Sequence, residues 1–292
     1  MKKYVLIFLS FLVVAKACAE NDKAFFWQVN SARASVYLMG SMHFADKSFY
    51  PLRKEIVDAF EKSDALVVEL DINNIDHKAY NRLLLEKGMY KDGATIKDVI
   101  SEKTWLQLEQ RLEKLNISYD DIKSYKPGVL VLTLAAMQVM QMGFDPELGI
   151  DAYFLKKAVS DVYAKTIIEL ETLDQQVNLF LNISNGELLL KESLYSLDES
   201  ESMMTEMVHY WKTGDKKKMN KLLFADVLNE YPAFSAIYDR LIYQRNDQMV
   251  SKIEQMLMQQ GGYFVVVGSG HLIGEKGIVN MLQEKGYDVK RL

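Results

Sequence analysis

Val36-Tyr37-Leu38-Met39-Gly40-Ser41-Met42-His43, near the start of the chain, is echoed near its end by Val265-Val266-Val267-Gly268-Ser269-Gly270-His271. Each segment is a β-rich apolar run closed by a glycine, with a histidine three residues after that glycine. Apolar runs of this length suit strands covered on both faces, as in parallel sheets. A glycine at the strand end lets the backbone turn sharply. His43 and His271 are thereby expected at the carboxyl edge of a sheet, where open α/β folds bind ligands. The reading requires the two ends of the chain to meet.

Working outward, Phe25 to Val29 and Ser35 to Met39 read as short strands split by a turn at Asn30-Ser31-Ala32-Arg33. Pro51 opens a helical pattern with Leu52, Ile56, Val57, Ala59 and Phe60 on one face. Ala65 to Leu70 reads as the next strand, completing a βαβ unit. Residues from about 76 to 142 are helical in pattern, then Ile150 to Ser160 form a helix and Ala164 to Leu170 a strand. A second helical stretch fills roughly 173 to 260. The strand Tyr263 to Val267, the helix Ile278 to Lys285 and a short strand Tyr287 to Lys290 close the chain. The expected fold is α/β, a largely parallel sheet built from both ends of the chain with a large helical insertion. No Pro-, Ser- or Gly-rich linker divides it, so residues 20–292 are expected to form one domain with helical insertions at about 76–142 and 173–260.

At 292 residues and 49% hydrophobic content, with only 4 prolines, the chain is long and apolar enough to bury a core. Its 35 basic against 40 acidic residues give a net charge of -5, which argues against nucleic acid as a partner. Met1-Lys2-Lys3-Tyr4, the apolar run Val5 to Ala15 and Ala17-Cys18-Ala19 have the form of a secretory signal peptide occupying residues 1–19. That run is shorter than the roughly 20 residues that span a bilayer, and no transmembrane span is expected in the mature chain. Cleavage near Ala19 would release the protein to the periplasm or the exterior. It would also remove the single cysteine, Cys18. The rival reading is a lipoprotein anchored at Cys18, disfavoured because Ala15 and Lys16 stand where such signals carry a branched aliphatic and a small residue.

Acids close the other strands. Glu69 ends Leu66-Val67-Val68-Glu69, and Glu169 and Glu171 end Ile167-Ile168-Glu169-Leu170-Glu171, where strand alternation would put both on one side. Two neutral imidazoles with one or two carboxylates form a suitable ligand set for a divalent ion, whether zinc, manganese, iron or cobalt. Asp151 and Asp71 are candidates to orient an imidazole. Each ring is expected at a sheet edge, where its removal leaves no core cavity. His77 lies in a polar stretch and His209 in helical sequence, and both read as surface or packing residues. Met137, Met140 and Met142 suit core filling better than a substrate groove. Arg245-Asn246 is a pair able to orient carboxylates or bind a substrate oxyanion.

Gly40-Ser41-Met42-His43, Tyr50-Pro51-Leu52, Val67-Val68-Glu69-Leu70-Asp71, Gly149-Ile150-Asp151, Leu170-Glu171-Thr172, Arg245-Asn246 and Gly268-Ser269-Gly270-His271-Leu272-Ile273-Gly274 together resemble the TraB/GumN family. The match runs in order over nearly all the mature chain, and the last segment is its most specific part. That family is similar to the Tiki metalloproteases and to erythromycin-esterase-like and haem-iron-binding ChaN-like folds. The resemblance implies a hydrolase with His43, His271, Glu69 and Glu171 as active-site positions. It implies no substrate, because the helical middle carries no matching motif.

The combined expectation is an exported metal-dependent hydrolase, a peptidase acting on a peptide or protein substrate through a metal-activated water. His43 and His271 would hold the metal. One of Glu69 and Glu171 would complete the set while the other serves as general base, the two being exchangeable on sequence alone. Arg245 would stabilise the oxyanion. The alternative is a non-catalytic metal, haem or peptide binding protein of the periplasm. A metal-independent esterase ranks last, since the chain has no G-x-S-x-G elbow.

Overall fold

A computed structural model describes residues 22–181, 183, 185–198 and 200–292. The expected signal peptide 1–19, with its cleavage point at Ala19 and the alternative anchor at Cys18, lies outside the described residues. Six strands form one sheet: β1 (Phe26–Asn30), β2 (Ala34–Ser41), β3 (Ala65–Val68), β4 (Thr166–Glu169), β5 (Gly261–Gly268) and β6 (Asp288–Arg291). Their order is β4-β3-β5-β2-β1-β6. The four strands β4, β3, β5 and β2 run parallel, while β1 pairs antiparallel with both β2 and β6. The α/β class and the sheet built from both chain ends are therefore as expected. β5, from the last part of the chain, lies between β2 and β3 from the first.

Burial explains the apolar runs. Leu66, Val67 and Val68 of β3 and Phe264 to Val267 of β5 are all buried, because helices cover both faces of the sheet centre. Phe264 meets Phe154 at 4.6 Å and Phe60 at 5.6 Å between ring centroids. Phe60 comes from the helix Lys54–Lys62, which starts past Pro51 and buries Ile56, Ala59 and Phe60. Phe154 comes from the helix Ile150–Ala158. The helix Gln244–Met258 adds Met249, Val250 and Ile253 to the same core.

A second apolar cluster joins the helices Glu102–Leu115, Pro127–Gln141 and Gly186–Asp198 through Leu108, Leu112, Leu130, Leu134, Leu190 and Leu194. Leu228 and Tyr238 pack against both clusters. Met137 packs on this second cluster, whereas Met140 is exposed, so the methionines do not line one groove. Among the described residues, no helix is long and apolar enough to cross a membrane. One local expectation fails: β4 ends at Glu169, so alternation does not carry through to Glu171. Glu169 is exposed and accepts the Asp71 N–H at 2.8 Å, while Glu171 is buried.

Candidate active site

The two glycine-histidine turns lie side by side because β2 and β5 are neighbours in register, with Ser41 opposite Gly268. Ser269 Oγ donates to the Ser41 carbonyl at 2.9 Å, and Trp211 Nε1 donates to the Gly40 carbonyl at 2.8 Å. A Cβ on Gly40 would lie 2.7 Å from Phe25 Cβ and 2.8 Å from Ser269 Oγ, so only glycine fits between β1 and the second turn. At Gly268 the neighbours are functional groups. A Cβ there would lie 3.3 Å from His43 Nε2, 3.4 Å from Glu69 Oε1 and 3.6 Å from His271 Cδ2. Three side chains carried just past the ends of β2, β3 and β5 thus gather around one backbone position.

His271 sits in the short helix Ser269–Leu272 and is only 3% exposed, so the expectation of a ring whose removal leaves no cavity fails there. Its Nδ1 lies 2.6 Å from Asn246 Oδ1. Asn246 Nδ2 donates to the Lys276 carbonyl at 2.7 Å, which leaves Oδ1 as acceptor and places the ring proton on His271 Nδ1. Nε2 then carries a lone pair, 3.9 Å from Glu69 Oε1. Burial, aided by the Arg245 charge, pushes the pKa of His271 down to about 4. His43 is different, with its side chain 53% exposed and Nδ1 3.3 Å from Asp151 Oδ1. Asp151 also accepts from Ser41 Oγ at 2.7 Å. Desolvation opposes the charge on His43, but the Asp151 and Glu69 carboxylates outweigh it and raise the pKa above its ordinary 6.5. The helix bearing Asp151 approaches this closely because Gly149 packs on the His43 carbonyl, 2.4 Å from where a Cβ would stand.

Glu69, just past β3, accepts the Gly268 N–H on Oε1 at 2.7 Å and Arg245 Nη2 on Oε2 at 2.5 Å. Glu171 takes a bidentate contact from the same guanidinium, Nε to Oε1 at 2.7 Å and Nη2 to Oε2 at 2.6 Å. Arg245 Nη1 donates to the Leu241 carbonyl at 2.8 Å. Gln176 Nε2 completes the network at 3.0 Å from Glu171 Oε2 and 3.4 Å from Glu69 Oε2. Burial favours the neutral acid in Glu69, yet the two imidazoles, Arg245 and the Gly268 N–H hold its pKa down at about 2.

The structure thus brings together His43, His271, Glu69, Glu171, Arg245 and Asn246. Arg245 is bound to carboxylates, and Asn246 fixes a ring instead of facing an oxyanion. Asp151 meets an imidazole, but Asp71 does not: it caps the turn Ile72–Asn74 by accepting from the Asn73 N–H. His77 and His209 are exposed and distant in role. No local pattern marks Gln176, and Ser41 belongs to the first histidine motif without any sign there that it binds Asp151.

The family resemblance implies a divalent ion. Among the described residues, no three His, Cys, Asp or Glu side chains are drawn together as a metal-binding group. The donor chemistry nonetheless fits. Both rings have Nδ1 at an oxygen acceptor, the arrangement that orients metal-ligating histidines. The 3.9 Å between His271 Nε2 and Glu69 Oε1 is a span that two bonds of about 2 Å cover. His43 is the reluctant member, since a proton held by Asp151 competes with a metal for the ring. His43, Glu69, Asp151, Gln176 and Arg245 line a cavity of about 430 Å³, with His271 buried behind them.

Several known proteins are similar over most of the chain. The uncharacterised protein YbaP of Escherichia coli (strain K12) is 26% identical over 248 residues, covering 85% of this chain and 87% of that protein. An uncharacterised protein of Treponema pallidum is 20% identical over 279 residues, 91% of this chain and 82% of its own. A distant relative, metalloprotease TIKI2 of Xenopus tropicalis, is 22% identical over 326 residues that span 93% of this chain and 60% of its own. No solved structure gives a significant match. The model of the TraB/PrgY/gumN family matches residues 25–291, a range that takes in all six strands and both histidine turns, and the chain belongs to that family.

Proposed function

We propose that this protein is an exported metal-dependent hydrolase, a peptidase, whose residues 20–292 work as one domain. The observation that carries this reading is the gathering of His43 Nε2, His271 and Glu69 Oε1 around Gly268. The name of the distant TIKI2 relative, a metalloprotease, supports it. His43, His271 and Glu69 would hold the ion. A divalent ion held there would supply Lewis acidity for hydrolysis.

The chain's own groups have separable tasks. Asn246 keeps the His271 proton on Nδ1, and Asp151 orients His43 through its Nδ1. Glu69 stays ionised, which suits a ligand and makes it a weak base. Glu171 is therefore the carboxylate left for the base role. It holds Arg245 and Gln176 through both oxygens, and accepting a proton means releasing one of them. Arg245 offsets one of the pair's two negative charges and fixes Glu69 beside the rings.

The test is purified untagged mature protein, stripped by chelator and repleted separately with manganese, cobalt, zinc or iron, then incubated with a mixed peptide library. Cleavage restored by one of these ions is expected. Tight metal retention without cleavage of any peptide would favour a binding protein instead. Mass spectrometry of the native N-terminus should give Glu20, and a lipid on Cys18 would overturn the soluble exported form.

A further inference from the structure

The cleft lined by His43, Glu69, Asp151, Gln176 and Arg245 is divided by chemistry. Its polar groups are those described above, and the rest of its wall is apolar, built from Phe44, Leu70, Ile72, Leu179 and Phe180 with Pro146 at the rim. Ile72 is 41% exposed on the turn Ile72–Asn74, an isoleucine held out beside the cleft by the Asp71 cap. Leu179 and Phe180 lie at the end of the helix Leu173–Leu181, whose earlier turn carries Gln176 to the glutamate pair. One helix therefore spans the polar and apolar parts of the site.

The Leu179-Phe180 part of this wall is fixed in place. Arg240 donates from Nε to the Leu179 carbonyl at 3.1 Å and from Nη2 to the Asn178 carbonyl at 2.8 Å, capping the helix end. Gly128 lets the helix Pro127–Gln141 pack directly on it: a Cβ at Gly128 would lie 2.1 Å from the Phe180 carbonyl oxygen. A rigid apolar surface facing reactive groups across one cavity gains free energy by covering an apolar side chain and loses it by stripping water from a charged one.

We propose that this wall is the specificity surface of the same site, taking the large aliphatic or aromatic side chain of a residue that adjoins the scissile bond. The proposal rests on the hydrolase reading above. The substrate class is then a peptide or unfolded segment with Leu, Phe or Met beside the cleaved bond, and peptides with Asp, Glu or Lys there are rejected. A cavity of about 430 Å³ admits a short stretch of chain and is at the small end of ligand sites.

The experiment profiles cleavage of a random peptide library by the metal-loaded full mature chain and by Leu179→Ala, Leu179→Asp and Ile72→Asp. A second arm measures calorimetric binding of two peptides made uncleavable by a reduced bond, one with Phe and one with Asp beside it. Wild type should enrich large apolar residues at one flanking position. Leu179→Ala should lower kcat/KM on Leu and Phe peptides about tenfold. Either Asp variant should shift the profile toward Lys and Arg at the same position, a gain that misfolding does not produce. Cleavage without flanking preference, or variants with the wild-type profile, would overturn the wall and leave the hydrolase standing. Preferential binding of the Phe peptide without cleavage of any library member would support the wall and overturn the hydrolase. Failure both to cut and to bind overturns both.

Discussion

At His271 the buried neutral ring links the site to stability. Its folded pKa of about 4 lies below the ordinary 6.5, so the stabilisation is fully present above pH 6.5 and is lost as pH falls through 4. A shift of this size corresponds to about 3 kcal/mol. Glu69, held at about 2, adds a second loss, below its ordinary 4.5. In metal-free protein the melting temperature should therefore fall from pH 6.5 to 4, and His271→Asn, which keeps a donor for Asn246, should flatten that part of the profile. His43→Ala should abolish metal retention and hydrolysis and lower the neutral-pH melting temperature modestly, because it leaves the largely buried Asp151 carboxylate without its imidazolium partner. Arg245→Met leaves Glu69 and Glu171 buried without their shared cation, at a cost of about 3–5 kcal/mol at neutral pH. An unchanged neutral-pH melting curve would show that the guanidinium does not hold the pair.

The two strand-turn elements look alike in sequence and differ in what their glycines permit. Gly40 is enclosed by Phe25 and Ser269, whereas a Cβ at Gly268 would lie 3.3 Å from His43 Nε2, a tight contact that a shift of a few tenths of an ångström in the half-exposed ring relieves, and Gly268 has φ -50, a value alanine adopts freely. Gly40→Ala should lower stability by about 1–3 kcal/mol through overpacking. Gly268→Ala should melt close to wild type and lose metal affinity, since its methyl occupies the point where the donors gather. Thermal melts and metal analysis of the two variants check this. If Gly268→Ala retains full metal, the ion is not held around that position.

For the whole molecule, the sheet core and the helical cluster are separate apolar bodies bridged by Leu228 and Tyr238. The one-domain proposal expects a single calorimetric transition with matching van't Hoff and calorimetric enthalpies. Two transitions would mean that the helical insertion folds as its own unit. Leu228→Ala, at the bridge, should broaden or split the transition more than it lowers the total enthalpy.

Strand positions, the parallel sheet centre and the paired histidine turns were all legible in the sequence by itself. Each rests on local pattern: continuous apolar runs mark strands buried on both faces, and a glycine marks the turn that ends them. The candidate carboxylates were legible as residue types at strand ends, but not their roles. Which acid faces the rings, that both acids share Arg245, that Asp151 and not Asp71 meets His43, that Asn246 serves His271, and that Gln176 joins the network were decided only by tertiary structure. Arg245 and Asn246 come from the helix Gln244–Met258, Gln176 from Leu173–Leu181 and Asp151 from Ile150–Ala158. How those helices pack over the sheet edge is set by burial of their apolar faces, and that packing brings together polar groups whose sequence neighbours carry no sign of the meeting.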